Sequence, residues 1–130
     1  MNSPVIKYSQ IVMPQDANVL GTLFGGQMVS WMDITAAKAA HRYLRKSNAD
    51  AAVTRAIDAI EFTEPVRVGD WVNFNAKIID EGSSSIVIKV EAYKETKNQK
   101  QKLACTAIFT MVSVKKHGNG NYQKVAHKIK

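Results

Sequence analysis

One segment of the chain, residues 26–46, has the sequence pattern of a long helix. Its apolar residues recur at spacings of three and four, which places them on one helical face. These residues are Met28, Met32, Ala36, Ala39 and Tyr43. The alanines at its centre favour helix and let another backbone approach closely. About 20 residues make a helix of about 30 Å, so the fold of so short a chain must be arranged around it.

The rest of the chain has the pattern of five strands. The first two are predicted at 8–13 and 52–62. Apolar and polar residues alternate most clearly in 71–80 and again in 86–92, which is typical of strands with one buried face. Residues 103–114 are apolar on both faces, as in the interior of a sheet. Because short turns favour antiparallel neighbours, the predicted fold class is α+β, with one long helix against a curled five-stranded antiparallel sheet.

Such an arrangement leaves sheet surface uncovered. One helix cannot hide both faces and both edges of a five-stranded sheet. An exposed edge strand presents unpaired N–H and C=O groups that pair readily with another chain. We therefore predict that the protein forms at least a homodimer.

The composition limits the possible classes of protein. The 130 residues suffice for one domain. A single cysteine excludes an intramolecular disulfide and fits a reducing compartment. No uninterrupted apolar run approaches the ~18 residues that span a bilayer, and no apolar block follows the first residues. We expect a cytoplasmic protein.

The net charge of +7 is unevenly placed. Residues 115–130 contain five lysines and no acidic residue, which leaves a net charge of +2 on residues 1–114. We expect 1–114 to form the folded domain and 115–130 a basic, flexible C-terminal tail. The charge indicates an anionic partner, but spaced lysines are weak evidence for nucleic-acid binding.

A glycine-rich loop precedes the predicted helix, with Gly21, Gly25 and Gly26 inside six residues. Glycines allow unusual backbone angles and close approach of a ligand. A helix that begins there presents free N–H groups and the positive end of its dipole, which can hold a developing oxyanion. The spacing is not the G-x-G-x-x-G pattern of dinucleotide sites. The alternative is that the glycines serve only the turn and the helix start.

Asp33 lies two turns into the predicted helix, next to Met32 and near Trp31. A carboxylate partly withdrawn from water is a better general base, which makes Asp33 a candidate for catalysis. The alternative is an Asp that is solvated or paired with a nearby base such as Lys38.

Other candidates for chemistry are weaker. Cys105 alternates with apolar residues on the last predicted strand, which is typical of a core residue. No serine has the G-x-S-x-G setting of a nucleophile elbow. Three scattered histidines and one cysteine do not predict a metal site.

Several segments together resemble one known family. Residues 18–33 are similar to the N-x-x-G-x-x-x-G-G-x(6)-D signature of hotdog-fold acyl-CoA thioesterases, above all the branch of bacterial short acyl-CoA hydrolases and brain acyl-CoA hydrolase. Residues 62–70 match the F-x-x-P-V-x-V-G-D segment of that branch, and residues 83–91 resemble its S-S-x-x-V-x-V-E strand. The resemblance extends from about Tyr8 to Val114.

The resemblance implies a hotdog fold and the hydrolysis of acyl-CoA to a free carboxylic acid and coenzyme A. It implies that Asp33 is the general base or nucleophile and that Asn18, from the partner protomer, orients water or substrate. Backbone N–H groups around Gly25 and Gly26 would polarise the thioester carbonyl. Active sites would lie where two protomers join their sheets edge to edge, and three such dimers would form a hexamer.

The resemblance also implies a binding site for coenzyme A, whose phosphates are anionic. The candidates are Thr54, Arg55, Ser84, Ser85 and Lys89. Arg55 departs from the small or apolar residue that is usual in this branch. No cofactor is expected, because coenzyme A is part of the substrate and product. Neither nucleic acid nor a membrane is expected as a partner.

Two other functions compete with hydrolysis. A hotdog module could sense acyl-CoA or bind another anion without catalysis, although such a module has no need of both Asp33 and Asn18. A hotdog dehydratase would need a histidine partner for Asp33, and the sequence offers no convincing one.

Overall fold

The computed structural model describes residues 5–118 and 120–127. Its elements are β1 (Ile6–Ile11), a short 3-10 helix (Pro14–Asp16), α1 (Gly25–Tyr43), β2 (Ala51–Phe62), β3 (Trp71–Glu81), β4 (Ser85–Glu95), β5 (Lys102–Lys116) and β6 (Tyr122–Lys124). Within these ranges no helix is long and apolar enough to cross a membrane. The cytoplasmic location stays a prediction.

The strands form one antiparallel sheet in the order β1-β3-β4-β5-β2, and β6 pairs with the end of β5. The predicted α+β class, with one long helix against an antiparallel sheet, is confirmed. The five predicted strands are present, and the described chain adds β6 as a sixth.

The helix packs on the face of the sheet that carries the alternating apolar residues. On β3 and β4 the buried side chains are Val72, Phe74, Ala76, Ile78, Ile86, Ile88, Val90 and Ala92. From α1, Ala36 and Ala40 are fully buried, so the helix backbone lies close to the sheet. The Trp31 ring meets Phe74 edge-on, with centroids 6.2 Å apart. This packing sets the position of every side chain that α1 presents elsewhere.

The helix ends at Tyr43, three residues before the predicted end at Lys46. The N–H of Leu44 still donates to the Ala40 carbonyl at 2.9 Å, and the Ser47 hydroxyl then donates to the carbonyl of Leu44 at 2.9 Å. Such a local side-chain bond at a helix end stops the helix, as expected of Ser.

Strand β2 is an irregular outer strand of the sheet. Its register with β5 shifts between Thr54 and Ala56 and again between Asp58 and Glu61. Three large apolar side chains on it are exposed, Val53, Ile60 and Phe62. An exposed apolar edge is where a second copy of the chain is expected to pair, so the homodimer stays a prediction with a defined location.

The C-terminal segment belongs to the sheet. The predicted domain boundary at Val114 falls inside β5, because the strand continues to Lys116 and pairs there with β6. His127 is 3% exposed. Flexibility of the basic segment 115–130 stays a prediction, and residues 128–130 lie outside the described residues.

We predict that Phe74→Ala lowers the free energy of unfolding by about 3–5 kcal/mol, because it leaves a cavity between α1 and β3. Denaturant unfolding followed by circular dichroism measures this change. Val19→Ala is the control, since that side chain is fully exposed and should shift the value by less than about 0.5 kcal/mol. Equal stability of Phe74→Ala and Val19→Ala would contradict the assigned core.

Candidate active site

The loop before α1 is closed by the side chain of Asn18. Its Oδ1 accepts hydrogen bonds from the backbone N–H of Leu20 at 2.9 Å and of Thr22 at 3.2 Å, and from the Thr22 hydroxyl at 3.1 Å. Gly21 has φ 79°, the left-handed conformation that this turn needs. Because the side-chain oxygen of Asn18 is used in the loop, any contact with a substrate would come from its amide N–H groups.

Asp16 ties this loop to the first turn of α1. The buried carboxylate accepts bonds from the backbone N–H of Met13 and from the Gln27 side chain, each at 2.9 Å. The Asp16 carbonyl accepts the N–H of Phe24 at 3.0 Å. The sequence alone does not predict this role for Asp16, because an Asp two residues after Pro14 indicates only a turn and nothing points to a partner eleven residues away.

Helix α1 begins with unpaired backbone donors. No side chain caps its N-terminus, and the first intrahelical bond runs from the Met28 N–H to the Phe24 carbonyl. The N–H groups of Gly25, Gly26 and Gln27 therefore have no partner within the helix. They can donate to an oxyanion, as the sequence analysis predicted for the glycines.

The two helix glycines differ in their surroundings. A Cβ on Gly25 would lie 3.3 Å from the Phe62 ring, so the absence of a side chain lets the helix approach β2. A Cβ on Gly26 would meet no atom within 4 Å. Both are helical, so it is space rather than an unusual backbone angle that Gly25 supplies.

A pocket of about 360 Å³ lies beside this helix start. It is lined by Thr22, Leu23, Gly25, Met28, Phe62, Thr63, Glu64, Pro65 and Val66. The apolar side chains of this lining suit a small apolar group next to the free N–H groups.

Asp33 is held by Thr54. The Thr54 hydroxyl donates to Asp33 Oδ1 at 2.6 Å, a short charge-assisted bond between α1 and β2. Asp33 is partly buried. The structure thus brings together a predicted catalytic residue and a residue predicted to bind coenzyme A. The alternative pairing of Asp33 with Lys38 is not seen, since the ion pair assigned among the described residues joins Lys94 and Glu64.

Asp33 and the helix start lie well apart on α1. Asp33 follows Gly26 by seven residues, and a rise of 1.5 Å per residue separates them by about 10 Å along α1. A catalytic group must come within about 3–3.5 Å of the atom on which it acts. Asn18 is likewise bonded inside its own loop. The helix start and the Asp33–Thr54 pair are therefore two separate groups on one chain.

A second pocket, of about 500 Å³, brings together four of the five candidates for binding coenzyme A. We call it the β2–β4 pocket; its lining residues are Val53, Thr54, Arg55, Ser84, Ser85, Val112 and Lys124. It forms because Val53 of β2 and Ser85 of β4 both pair with Val112 of β5. Lys124 is one of the five lysines of the segment 115–130, which the sequence predicts to be a flexible tail.

The fifth candidate, Lys89, does not line this pocket. It lies four residues further along β4, opposite Lys77 of β3 and Ile108 of β5.

Burial raises the pKa of the Cys105 thiol to about 11, so the residue stays protonated near neutral pH. A buried, protonated thiol is a poor nucleophile, in agreement with its assignment to the core. No group of three or more His, Cys, Asp or Glu side chains within residues 5–118 and 120–127 could hold a metal ion.

One long helix packed against a single antiparallel sheet in the order β1-β3-β4-β5-β2 is the arrangement of the hotdog class. The solved structure of a hexameric thioesterase from Yersinia pestis is similar to this chain, with a TM-score of 0.80 and 32% identity over 96% of this chain and 97% of that one. An acyl-CoA hydrolase from Staphylococcus aureus, solved with butyryl coenzyme A, has a TM-score of 0.78 and 27% identity over 95% of this chain and 72% of that one. The fold is the hotdog fold.

The model of the thioesterase superfamily matches residues 20–100. An uncharacterized acyl-CoA thioester hydrolase from Buchnera aphidicola is 37% identical over 112 residues, 83% of this chain and 80% of the relative. The mouse acetyl-coenzyme A thioesterase is 34% identical over 106 residues, 81% of this chain but 18% of that protein. This chain spans 65% of the length of an uncharacterized acyl-CoA thioester hydrolase from Bacillus subtilis. This chain belongs to the thioesterase superfamily.

We predict that Thr54→Val lowers kcat for thioester hydrolysis about 10- to 100-fold, because Asp33 loses the bond that orients it. Thr54→Ser keeps the hydroxyl and should keep most of the activity. Steady-state kinetics of the two variants measure the difference. Wild-type kcat in Thr54→Val would show that this bond does not serve catalysis.

Proposed function

We propose that this protein hydrolyses acyl-CoA thioesters to free carboxylic acids and coenzyme A. The observation that carries the proposal is the Asp33 carboxylate on α1, which the Thr54 hydroxyl on β2 orients. The chain that holds this pair belongs to the thioesterase superfamily. The relatives support the substrate, because their names describe acyl-CoA and acetyl-CoA thioester hydrolases.

In the proposed reaction Asp33 acts on the thioester carbonyl through the oxygen that Thr54 leaves free. Either Asp33 takes a proton from water while the water oxygen attacks the carbonyl carbon, or the carboxylate attacks first and water then hydrolyses the anhydride. In both routes the C–S bond breaks, the sulfur leaves as the coenzyme A thiolate and gains a proton, and the acyl group leaves as a carboxylic acid. Neither route uses a metal or cofactor.

The N–H groups of Gly25 and Gly26 would stabilise the oxyanion formed in either route. Because they lie about 10 Å along α1 from the Asp33 of their own chain, we assign them to the site of the partner chain. Asn18 would enter the partner's site with them, with its amide N–H groups orienting water or substrate.

The dimer would form through the β2 edge, whose exposed Val53, Ile60 and Phe62 lie on the strand that carries Thr54. Joining the two sheets there brings the Asp33–Thr54 pair of each chain toward the other subunit. Three such dimers would form the hexamer, and the solved Yersinia pestis thioesterase is described as hexameric.

Further support comes from the Staphylococcus aureus acyl-CoA hydrolase. Alanine variants of that protein at an aspartate and at an asparagine have been characterised, the latter in complex with coenzyme A. The two positions in that protein are fifteen residues apart, the same separation as between Asn18 and Asp33.

The β2–β4 pocket is the proposed site for the nucleotide end of coenzyme A. Arg55 offers a cation, Ser84 and Ser85 offer hydroxyl groups, and Thr54 connects the pocket to Asp33. Lys89 lies outside this pocket, so we propose for it only a long-range attraction of the phosphates.

We predict that Asp33→Asn lowers kcat/KM at least about 1,000-fold across a series of acyl-CoA chain lengths, because the carboxylate can then neither take a proton nor attack. Release of the thiol with a chromogenic disulfide measures the rate. Asp80→Asn, an exposed Asp on β3, is the matched control and should retain wild-type rates. Equal rates in Asp33→Asn and wild type would remove Asp33 from the mechanism. Tight acyl-CoA binding without turnover by wild type would favour the sensing module.

We predict that two inactive variants complement each other when their subunits are mixed. Asp33→Ala and Asn18→Ala chains, co-refolded in equal amounts, should recover about a quarter of wild-type activity, because half of the dimers are mixed and each has one intact shared site. Activity that stays at the level of the separate variants would place Asp33 and Asn18 in the same chain's site.

A further inference from the structure

The C-terminal strand β6 adds a cation to the β2–β4 pocket, and we propose that this cation, Lys124, binds a phosphate of coenzyme A together with Arg55. The proposal rests on the proposed function and deepens it, since it assigns part of the binding energy for coenzyme A to the C-terminal segment. It makes Lys124 a residue that selects the phosphorylated substrate over the same thioester without its nucleotide.

The β5–β6 hairpin places Lys124 at the pocket. The N–H of His117 donates to the Asn121 carbonyl at 2.7 Å, and Gly120 takes the left-handed φ of 87° that reverses the chain. β6 then pairs with β5 so that Lys124 lies opposite Val114, two residues from the Val112 that lines the pocket. β6 and β4, the strand that carries Ser85, thus pair with successive parts of β5.

The residues after β6 hold it in this position. The N–H of Val125 donates to the Ser113 carbonyl at 3.0 Å, and the N–H of His127 donates to the Ser83 carbonyl at 3.0 Å. His127 Nε2 lies 3.2 Å from the Ser85 carbonyl, which can only accept, so this nitrogen carries the proton. The C-terminal segment is therefore bonded to the turn 83–85, of which Ser84 and Ser85 line the pocket.

The His127 ring is also packed from the side of the helix. Its edge meets the Tyr43 ring at a centroid distance of 5.4 Å, and the Tyr43 hydroxyl donates to Glu81. Burial and the neighbouring Glu81 raise the pKa of Tyr43 above its usual range, so it stays a neutral donor. His127 is thus a positioning residue, which joins the end of α1, the 83–85 turn and β6.

The charges in the pocket match a phosphate group. Its lining contains two cations, Arg55 and Lys124, and no acidic side chain. Neither cation has an assigned ion-pair partner among the described residues, where the assigned pair is Lys94 with Glu64. A guanidinium can bind a phosphate with two parallel hydrogen bonds and an ammonium adds a point charge, while Ser84 and Ser85 bring hydroxyl donors.

The shape favours a small phosphorylated ligand over a polymer. About 500 Å³ is the volume of a small-molecule site, and Val112 in its lining offers an apolar contact to a base or pantetheine group. An extended nucleic acid would need a longer basic surface with aromatic side chains for stacking. Coenzyme A, which the neighbouring Asp33 would act on, supplies such a ligand.

The experiment compares Lys124→Met and Arg55→Met with Lys116→Met, the matched control at the β5 end outside the pocket lining. Each is assayed with an acyl-CoA and with the S-acyl-pantetheine of the same acyl group, which has no phosphate. We expect both pocket variants to raise KM for acyl-CoA about three- to tenfold at unchanged kcat, with no effect on acyl-pantetheine. Wild-type KM in Lys124→Met, or the same rise with acyl-pantetheine, would overturn the proposal.

His127→Phe tests the positioning role, since it keeps an aromatic ring against Tyr43 but removes the Nε2 donor. We expect His127→Phe to raise KM for acyl-CoA as much as Lys124→Met does. The variant that carries both substitutions should show no further increase. A normal KM for acyl-CoA in folded His127→Phe would overturn that role. If His127→Phe does not fold, the Lys124→Met comparison alone decides the proposal.

Calorimetry separates failure of this proposal from failure of the proposed function. If wild type hydrolyses no thioester, the function fails, but binding of coenzyme A and of pantetheine still tests the pocket. Coenzyme A should then bind Lys124→Met about three- to tenfold more weakly than wild type, with pantetheine binding unchanged. Equal affinity of wild type and Lys124→Met for coenzyme A would overturn the phosphate site.

Discussion

The burial of one face of α1 against the concave face of the sheet is the interaction on which the rest of the structure depends. Ala36 and Ala40 let the helix lie close to the sheet, and Trp31 and Phe74 meet edge-on between them. Because the apolar side chains of α1 are buried against the sheet, rotation of the helix about its axis would expose them. Asp33 is therefore turned toward β2, where the Thr54 hydroxyl meets it.

The same constraint is the basis for the proposal that two chains share one site. A rigid helix keeps its free N–H groups and its carboxylate about 10 Å apart along the axis, and no side-chain movement removes that separation. In the proposed dimer the second copy would complete the site at the edge of β2, where Val53, Ile60 and Phe62 are exposed. In the proposed enzyme, catalysis and assembly thus depend on the same strand.

Much of this arrangement follows from local sequence. The 3.6-residue period of α1 and the alternation on β3 and β4 predict their own elements, since each pattern reports which face is buried. The resemblance of 18–33 to a thioesterase signature marks Asn18, Gly25, Gly26 and Asp33 by their spacing alone. Contacts between distant segments carry no such local mark. Three such contacts depend on how whole elements pack together: the Asp16–Gln27 bond, the Thr54–Asp33 bond and the contact of His127 with the Ser85 carbonyl.

The C-terminal segment shows the limit most clearly. Its lysines, glycines and lack of acidic residues describe a solvated chain end, and composition alone predicts nothing more for it. The tertiary structure decides that β5 extends to Lys116, that β6 pairs with it and that Lys124 enters the pocket with Arg55. By itself the sequence determined the fold class, the family and the residues of the loop and helix, because period and spacing are local properties. Only the packed sheet decided which of those residues face one another, since that depends on register between strands far apart in the chain.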